Sequence, residues 1–370
     1  MRFPEFSGEW ETGKIKQVCD IATGNKNTQD KSDDGIYPFY VRSQTIERIN
    51  SWSFDGEAIL TAGDGVGVGK VFHYSTGKIG VHQRVYILSN FTCDSKYLFH
   101  YFSSRFYTRV KRMSAKNSVD SVRMEMIADM PIYLASKDEQ RKIGYLLSLL
   151  NERIETQKKI IEKYESLIRG IVKTHYSQCE SIKETRISEL GKAFTTMNMS
   201  KEDLSEDGNE CILYGELFTT YGCVIKDVKS KTNISTDRAT KSRNNDLLFP
   251  ASTTVDAMSL IAPTAIYKEG VILGGDLFGI HVNEDYNNEY LSYLINYIYK
   301  STLARYAQGS TIIHLHYSDI KNVTLLLPSI EDQNYLAHLM RSIEAKINIE
   351  KDMLSELYRQ KAYLLSNLFI

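Results

Sequence analysis

The phrase SKDEQRKI occupies residues 136–143, and SIEDQNYL occupies residues 329–336, an offset of 193 residues. Each phrase has a serine, an acidic residue three positions later, then glutamine, and then an apolar heptad. Serine with an acidic residue at this spacing is typical of a helix start, because both side chains can cap free backbone amides. Two such starts at the same phase indicate an internal duplication in which each copy ends in a long helix.

The apolar residues after the first phrase alternate steps of four and three, which is the spacing of a coiled-coil seam. They are Ile143, Leu147, Leu150, Ile154, Gln157, Ile161, Tyr164, Ile168 and Ile171. The same offset leads to Leu336, Met340, Ile343, Ile347, Glu350, Leu354, Leu357, Lys361 and Leu364. Eight of the nine positions keep their polar or apolar character, with Lys361 as the exception. The polar interruption Gln157 recurs as Glu350, and we expect this polar layer to set the register of the two helices.

The duplication extends upstream of the helices. YLFHYFSS at 97–104 matches YLSYLINY at 290–297 at the same offset, and strand-like segments precede both. We therefore predict an α+β fold with two pseudo-twofold-related domains, separated by two long helices packed as an antiparallel coiled coil. The predicted domain bounds are 1–137, 138–178 for the first helix, 179–330, and 331–370 for the second helix. Ser136 with Glu139, and Ser329 with Asp332, are expected to cap the two helices.

The bulk composition describes an ordinary globular chain. Its 370 residues include 45 basic and 46 acidic residues, so net charge gives no support to nucleic-acid binding, although a local basic surface is sufficient. Five scattered cysteines without a CxxC pair favour free thiols in a reducing cytosol, and we expect a cytoplasmic protein. The first residues lack the apolar core of a signal peptide, and no apolar run reaches the roughly 18 residues of a membrane span.

The familiar catalytic motifs are not found in the sequence. GDGVGVGK at 63–70 fails the spacing of a Walker A loop and of a dinucleotide-binding loop, and it is better explained as a mobile loop or a tight turn between strands. Amino-methyltransferase and nuclease clusters are also missing, and the eight histidines include no HExxH pair. We therefore predict that the chain is not an enzyme and binds neither metal nor cofactor itself.

A basic stripe is the remaining chemical signal. Arginines and a lysine at steps of four, three and four share one face of a predicted helix, namely Arg105, Arg109, Arg112 and Lys116. Cationic side chains suit phosphates, and Asn, Gln, Ser and Thr suit base edges. The candidate DNA-binding residues are therefore Arg109, Arg112, Lys116, Asn117 and Ser118 in the first half and Arg305, Gln308, Ser310 and Thr311 in the second. Secondary candidates at predicted strand ends are Arg42, Ser43, Lys70 and Gln83. The alternative is a solvated helix face followed by a turn.

Taken together, these features resemble the specificity subunit of type I restriction–modification enzymes. RFPEFSGEW at 2–10 is similar to the start of many members, and LLLPSIEDQ at 325–333 has the Pro, acidic residue and Gln of the family's helix start. YLASKDEQ at 133–140 departs from that pattern, with Ala135 where Pro is usual. The resemblance covers nearly the full chain and is strongest at the repeated helices.

The resemblance implies two target-recognition domains, each recognising one half of a split sequence in double-stranded DNA. It implies that the helices act as a spacer and dock two methyltransferase subunits, and it leaves open whether restriction subunits are further partners. Catalysis and S-adenosylmethionine then belong to those partners. Independently, a seam of 29 residues, about 43 Å long, suits DNA contacts slightly more than one helical turn (about 34–36 Å) apart. Two other hypotheses remain, a diverged nuclease or transferase and a coiled-coil adaptor that binds only protein.

Overall fold

The chain divides into two compact units. The structure, a computed structural model, describes residues 2–113, 121–179, 182–235, 237 and 239–369. Unit 1 comprises Met1–Lys159 with Lys351–Ile370, and unit 2 comprises Ile160–Glu350. Each long helix therefore contributes one segment to each unit. The predicted domain bounds, drawn at the helix ends, stay a prediction.

The first part of the chain places a set of short strands ahead of a long helix. Its elements are β1 (Glu11–Lys14), β2 (Asp20–Thr23), β3 (Tyr37–Tyr40), β4 (Ile46–Ile49), β5 (Phe54–Asp55), β6 (Ala58–Ala62), β7 (Phe72–Ser75), β8 (Lys78–Val81), β9 (Val85–Ser89), α1 (Ser95–Met113), α2 (Met124–Ala128), β10 (Pro131–Leu134) and α3 (Lys137–Gln178). One of the strand-like segments that precede the repeated phrases, KIGVHQRVYIL at 78–88, forms β8 and most of β9.

The second part follows the same order. Its strands are β11 (Lys183–Arg186), β12 (Gly191–Thr195), β13 (Leu204–Ser205), β14 (Asn209–Leu213), β15 (Val224–Ile225), β16 (Ser230–Thr232), β17 (Asp246–Pro250), β18 (Ser252–Thr253), β19 (Thr264–Ile266), β20 (Ile272–Gly274), β21 (Leu277–Val282), β22 (Ile313–His314) and β23 (Thr324–Leu327). Its helices are α4 (Glu216–Thr219), α5 (Ala257–Leu260), α6 (Asn288–Leu294), α7 (Lys300–Ala304), α8 (Tyr317–Ile320) and α9 (Ile330–Asn367), with a π-helical turn at Ile295–Tyr299 joining α6 to α7.

The two units contain related sheets. One sheet has the order β2-β9-β6-β7 in unit 1 and β12-β21-β17-β19-β15 in unit 2. A second sheet has the order β4-β3-β8-β5 in unit 1 and β13-β16-β14-β20 in unit 2, and each contains one parallel pair. In both units the strand before the long helix pairs antiparallel with the first strand, β10 with β1 and β23 with β11. The predicted α+β fold with an internal duplication is confirmed.

Both serine caps are confirmed. The backbone amide of Glu139 donates to Ser136 Oγ at 3.3 Å, and the amide of Asp332 donates to Ser329 Oγ at 3.2 Å. The carboxylate of Glu139 has a second function, because it accepts two bonds from the guanidinium of Arg2, at 2.8 and 2.7 Å. Since Glu139 is buried, this bidentate pair holds the N-terminal segment against the start of α3.

The glutamine of each repeated phrase joins three elements. In unit 1, Gln140 accepts the backbone amide of Asp94 at 3.0 Å and donates to the carbonyl of Ala135 at 2.7 Å. In unit 2, Gln333 accepts the amide of Asn287 at 3.0 Å and donates to the carbonyl of Pro328 at 2.9 Å. Every residue of the second set lies 193 positions after its counterpart. The glutamines therefore connect the start of the long helix to the start of α1 or α6.

Asp94 and Asn287 complete this connection as helix caps. The side chain of Asp94 accepts the amide of Tyr97 at 2.8 Å, and Asn287 accepts the amide of Tyr290 at the same distance. The same hydrogen-bonded joint is thus built twice, with buried glutamine at its centre.

The long helices run antiparallel within each unit. In unit 1 the ammonium of Lys158 on α3 lies 5.9 Å from the ring centroid of Tyr358 on α9, while Ile143 and Leu147 share a core with Leu368 and Phe369. In unit 2 burial lowers the pKa of His175 on α3, and the carboxylate of Asp332 on α9 opposes this shift. The pKa of Lys346 on α9 is raised mainly by Glu350 and to a smaller extent by Tyr164 on α3, so the residue numbers of the two helices again run in opposite directions.

All seam positions of both helices are buried or half-buried, including the polar pair Gln157 and Glu350. Lys346 forms an ion pair with Glu350 at 2.8 Å, one turn away on the same helix. The antiparallel pairing was predicted and is confirmed within each unit, whereas the role of the polar layer in setting register stays a prediction. Among the described residues, no helix combines the length and apolarity that crossing a bilayer requires.

The end of the chain completes the core of unit 1. Phe369 packs edge-on against Tyr97 and Tyr101, with ring centroids 5.3 Å apart in both cases. Its carbonyl accepts a bond from Arg105 Nη2 at 2.9 Å. Phe102 and Phe106 extend the same cluster along α1, so α1 is covered by α9 on one side and by the sheet on another.

Replacement of Gln140 by alanine should destabilise unit 1 by about 1–3 kcal/mol, because a buried amide and a buried carbonyl lose their partner. Gln333→Ala should act equally on unit 2. Urea unfolding followed by circular dichroism measures both effects, with the exposed Gln360→Ala as the matched control on α9. If the three variants unfold at the same urea concentration, the glutamine joint does not stabilise the fold.

Candidate nucleic-acid interface

Two arginines of the predicted basic stripe have structural partners. Arg109 donates from Nε to the carbonyl of Met126 at 2.9 Å and from Nη2 to the carbonyl of Asp129 at 3.0 Å. Arg105 donates to Phe369, and its guanidinium lies 5.2 Å from the ring centroid of Tyr101. Both side chains are half-buried and hold α1 against its neighbours.

Arg112, in the last turn of α1, is exposed. The candidates Lys116, Asn117 and Ser118 lie outside the described residues. In the first half the structure thus leaves Arg112 as the exposed arginine of the predicted stripe, while the binding role of every candidate stays a prediction.

Residues 63–71, named here the glycine loop, connect β6 to β7. Gly65 and Gly69 adopt φ values of +79° and +67°, which a residue with a side chain rarely adopts. Gly67 lies so close to its neighbour that an added Cβ would be 2.4 Å from the carbonyl oxygen of Arg42. These glycines allow a tight turn, as the sequence predicts, and they let the loop pack closely against the backbone of Arg42, just after β3.

Cationic side chains surround the glycine loop. Arg42 Nη1 lies 2.9 Å from Asp64 Oδ1, and Arg84 Nε lies 3.7 Å from Asp64 Oδ2. Lys70 places its ammonium 5.2 Å from the ring centroid of Tyr107 on α1. One carboxylate faces two guanidiniums and a nearby ammonium, so the local charge is positive although the whole chain is close to neutral.

The remaining first-half candidates make local contacts. Gln83 donates to Asn27 Oδ1 at 2.8 Å, and Ser43 Oγ donates to the carbonyl of Thr45 at 3.1 Å. The neighbouring His82 is buried, and its Nδ1 accepts a hydrogen bond from the backbone amide of Arg84 at 3.0 Å. Burial lowers the pKa of His82, which keeps the ring neutral and able to accept this bond.

The second-half candidates gather in residues 308–314, named here the polar hairpin. Gln308 and His314 exchange two backbone hydrogen bonds, at 2.9 and 2.7 Å. Gly309, with φ +121°, approaches the Ile312 carbonyl so closely that an added Cβ would be 2.0 Å from its oxygen. This turn exposes Ser310 and Thr311 at its tip. Gln308 is also exposed, and Arg305 is exposed just beyond α7.

Residues 251–256, named here the threonine loop, lie next to the polar hairpin. β18 of this loop pairs antiparallel with β22 of the hairpin, Ser252 opposite His314 and Thr253 opposite Ile313. The loop ends at Asp256, whose carboxylate accepts the amide of Ser259 at 2.7 Å and caps α5.

The glycine loop and the threonine loop occupy the same place in their units. Each follows the equivalent strand of the sheet, β6 or β17. A matching backbone bond joins each loop to the segment that follows its helix: the amide of Val122 donates to the carbonyl of Gly63 at 2.7 Å, and the amide of Leu315 donates to the carbonyl of Ala251 at 2.9 Å. The structure therefore brings a second polar surface to each predicted site, which can contact phosphates with cations and base edges with hydroxyl and amide groups.

Sequence patterns did not point to Arg84, Asp64 or Tyr107. Arg84 follows Gln83 in the same turn, so its position beside a candidate was the available signal. Asp64 carries no positive charge to suggest a phosphate contact, yet its carboxylate pairs with the guanidiniums of Arg42 and Arg84. Among the described residues, no group of three or more His, Cys, Asp or Glu side chains is placed to hold a metal ion.

Comparison with known proteins agrees with this architecture. The sequence model for the type I restriction modification DNA specificity domain matches residues 7–166 and again residues 180–359. The chain therefore belongs to this family, with one copy of the domain in each half.

Two relatives resemble it at the level of sequence. The EcoDI specificity subunit of Escherichia coli is 26% identical over half of this chain, and the match covers 42% of that protein. The MjaVIII specificity subunit of Methanocaldococcus jannaschii is 20% identical over 99% of this chain and 92% of its own length. Both are named as type I restriction enzyme specificity subunits.

Solved structures share the fold. The S subunit of a type I restriction–modification system from M. genitalium superposes with a TM-score of 0.69 at 15% identity, covering 100% of this chain and 99% of that one. A chain from a study of complex assembly and conformational transition in a type I system gives a TM-score of 0.55 at 13% identity, with 99% and 98% coverage.

Arg112→Ala should lower DNA affinity and reduce the slope of log affinity against log salt by about one, because one phosphate contact is lost. Arg305→Ala tests the same point in unit 2. Binding to duplex DNA at several salt concentrations provides the measurement. Unchanged affinity and slope in both variants would show that these helix ends do not face DNA.

Arg109→Ala serves as the contrasting variant. It should destabilise unit 1 by about 1.5–3 kcal/mol, since two hydrogen bonds from a charged donor are lost, without a matching change in the salt slope of the folded protein. Urea unfolding and the same binding series separate the two effects. A changed salt slope with normal stability would instead make Arg109 a phosphate contact.

Proposed function

We propose that this chain is the DNA-recognition subunit of a type I restriction–modification complex and that each unit recognises one half of a bipartite target. The proposal rests on one observation. Both units have a related arrangement of strands and helices, but they carry different loops at the equivalent position. The glycine loop with its cations in unit 1 corresponds to the threonine loop and polar hairpin in unit 2. A repeated frame with different side chains at one place suits two halves of one target that differ in sequence.

Arg112, Lys70, Arg42 and Arg84 are the proposed phosphate contacts of unit 1, with Lys116, Asn117 and Ser118 as further candidates on the segment after α1. In unit 2 the proposed phosphate contact is Arg305, and the proposed base contacts are Gln308, Ser310 and Thr311. Loss of a base contact at Gln308 relaxes one position of the target, at a cost of about 1–3 kcal/mol.

The long helices, in this proposal, fix the gap between half-targets and dock two methyltransferase subunits. α3 has 42 residues and α9 has 38, which corresponds to about 63 and 57 Å. Both expose apolar side chains, including Tyr145 and Leu149 one turn apart on α3, at 61% and 43% exposure. Exposed aromatic and aliphatic groups on one helix face suit a protein partner. Methylation, cleavage and S-adenosylmethionine binding are assigned to partner subunits, and this chain has no catalytic role.

A gel shift on random duplex DNA, with and without methyltransferase subunits, tests the proposal against its alternatives. DNA binding that strengthens with those subunits supports it. A chain that cleaves or modifies DNA alone would be an enzyme. A chain that binds the subunits while the complex ignores DNA would be a protein adaptor.

Exchange of residues 1–135 for those of another family member should change one half of the recognised sequence and leave the other half unchanged. The reason is that unit 1 builds its glycine loop and α1 within this segment. Methylation sequencing of cells that carry the hybrid with methyltransferase subunits gives the result. Simultaneous change of both halves contradicts independent recognition.

Insertion of four residues after Glu155 should favour a target with a longer gap, because the insertion lengthens α3 by about 6 Å. The same methylation sequencing measures the gap, and the parent chain is the control. If the variant is fully active on a target with the original gap between its halves, α3 does not set that gap.

A further inference from the structure

Val66 stands at the tip of the glycine loop with its side chain 100% exposed. The next valines of the loop behave differently, because Val68 is 2% exposed and Val71 is 7% exposed. The loop therefore buries two valines as anchors and presents the third to solvent.

The backbone around Val66 is held in place. The amide of Val68 donates to the carbonyl of Gly65 at 3.1 Å, and the amide of Val71 donates to that of Gly67 at 2.9 Å. Gly67 also rests against the Arg42 carbonyl, as described above. Fixed turns on both sides of Val66 reduce the ordering cost of a contact made by its side chain.

Unit 2 has a related feature with different residues. Val255 lies in the threonine loop, four residues after Ala251, whereas Val66 lies three residues after Gly63, and Val255 is 68% exposed. The amide of Val255 donates to Thr253 Oγ1 at 3.2 Å, which fixes the turn before it. A single exposed valine needs no explanation. A second exposed valine in the equivalent loop, where the two sequences otherwise differ, does.

The surroundings of Val66 indicate what it contacts. Arg42, Arg84 and Lys70 flank the base of the loop, so the loop presents cations on its sides and an aliphatic group at its tip. Duplex DNA offers the complementary pattern, with phosphates along the groove edges and the C5-methyl of thymine as the apolar group in the major groove. Within the glycine loop Val66 is the one exposed large hydrophobic residue, whereas a protein partner would favour a wider apolar patch.

We propose that Val66 and Val255 are specificity-determining residues that contact thymine methyl groups, one in each half of the target. The proposal rests on the DNA-recognition function proposed above. It adds an apolar element to recognition by hydrogen bonds, and it requires at least one thymine in each half of the target.

The test uses the full chain assembled with its methyltransferase subunits and the target identified by methylation sequencing. Each thymine is replaced in turn by deoxyuridine, which removes only the methyl group. One replacement in each half should weaken binding by about three- to fourfold, the effect of losing one buried methyl group. Val66→Ser should weaken binding by about tenfold, leave the salt slope unchanged, and abolish the deoxyuridine effect in one half only. Val255→Ser should do the same in the other half.

Ile36→Ser is the matched control, because Ile36 is an exposed aliphatic residue of unit 1, at 65%, that directly precedes β3 and is not part of the glycine loop. It should leave affinity and the deoxyuridine effects unchanged. All three variants change exposed side chains and should keep the parent urea midpoint.

The proposal is overturned if a half-target contains no thymine, or if Val66→Ser and Val255→Ser bind normally and keep both deoxyuridine effects. A rise in 2-aminopurine fluorescence next to the contacted step, lost in Val66→Ser, would also overturn it by making the valine a wedge that unstacks bases. Failure of the parent complex to bind any duplex is a separate result, which contradicts the proposed function itself.

Discussion

The apolar seam of the long helices is the constraint on which the rest of the structure depends. α3 carries this seam along most of its 42 residues, and each leucine or isoleucine left in water would forgo about 1.5–3 kcal/mol. The seam is covered by α9 running in the opposite direction within each unit. For this reason Lys351–Ile370, the last segment of the chain, belongs to unit 1 together with the first. Within this segment Phe369 packs against Tyr97 and Tyr101.

The buried glutamines at the starts of α3 and α9 connect the long helices to the rest of each unit. Gln140 and Gln333 each bond to two places at the same time: a carbonyl in the short segment before the long helix, and the amide of the residue that caps α1 or α6. Because each glutamine is buried, its amide has no water to replace a lost partner. The orientation of α1, and with it the position of Arg112, therefore depends on residues far from the proposed DNA surface.

Much of this architecture was predictable because it rests on spacing. The heptads, the serine caps and the strands after each glycine-rich or threonine-rich segment follow from periodicity and local chemistry. The function of the repeated glutamine was not predictable, because its partners Asp94 and Asn287 lie 46 residues away. The partners of Arg109 were hidden for the same reason, since a helical spacing does not distinguish a solvated guanidinium from one that binds the carbonyls of a neighbouring segment.

The repeat also did not predict how residues at equivalent positions of the two units differ in their chemistry. His100 and Tyr293 stand 193 residues apart, both buried against a long helix. His100 bonds to Ser148 at 3.3 Å, and burial lowers its pKa to about 3. Tyr293 lies beside Glu344, whose pKa burial raises. The repeated fold determines the positions of these two side chains. Their protonation depends on neighbouring groups, and the sequence repeat alone does not specify those neighbours.

In the proposed function, two units built on one frame each recognise one half of a DNA target, so methylation should occur at a sequence in two parts. Methylation sequencing of a genome measures this, in cells that express this chain with its methyltransferase subunits and in matched cells that lack the chain. Methylation that depends on this chain is expected at two defined segments separated by a fixed number of unspecified bases. A single continuous target, or the same methylation in cells without the chain, would be incompatible with recognition of separate half-targets by the two units.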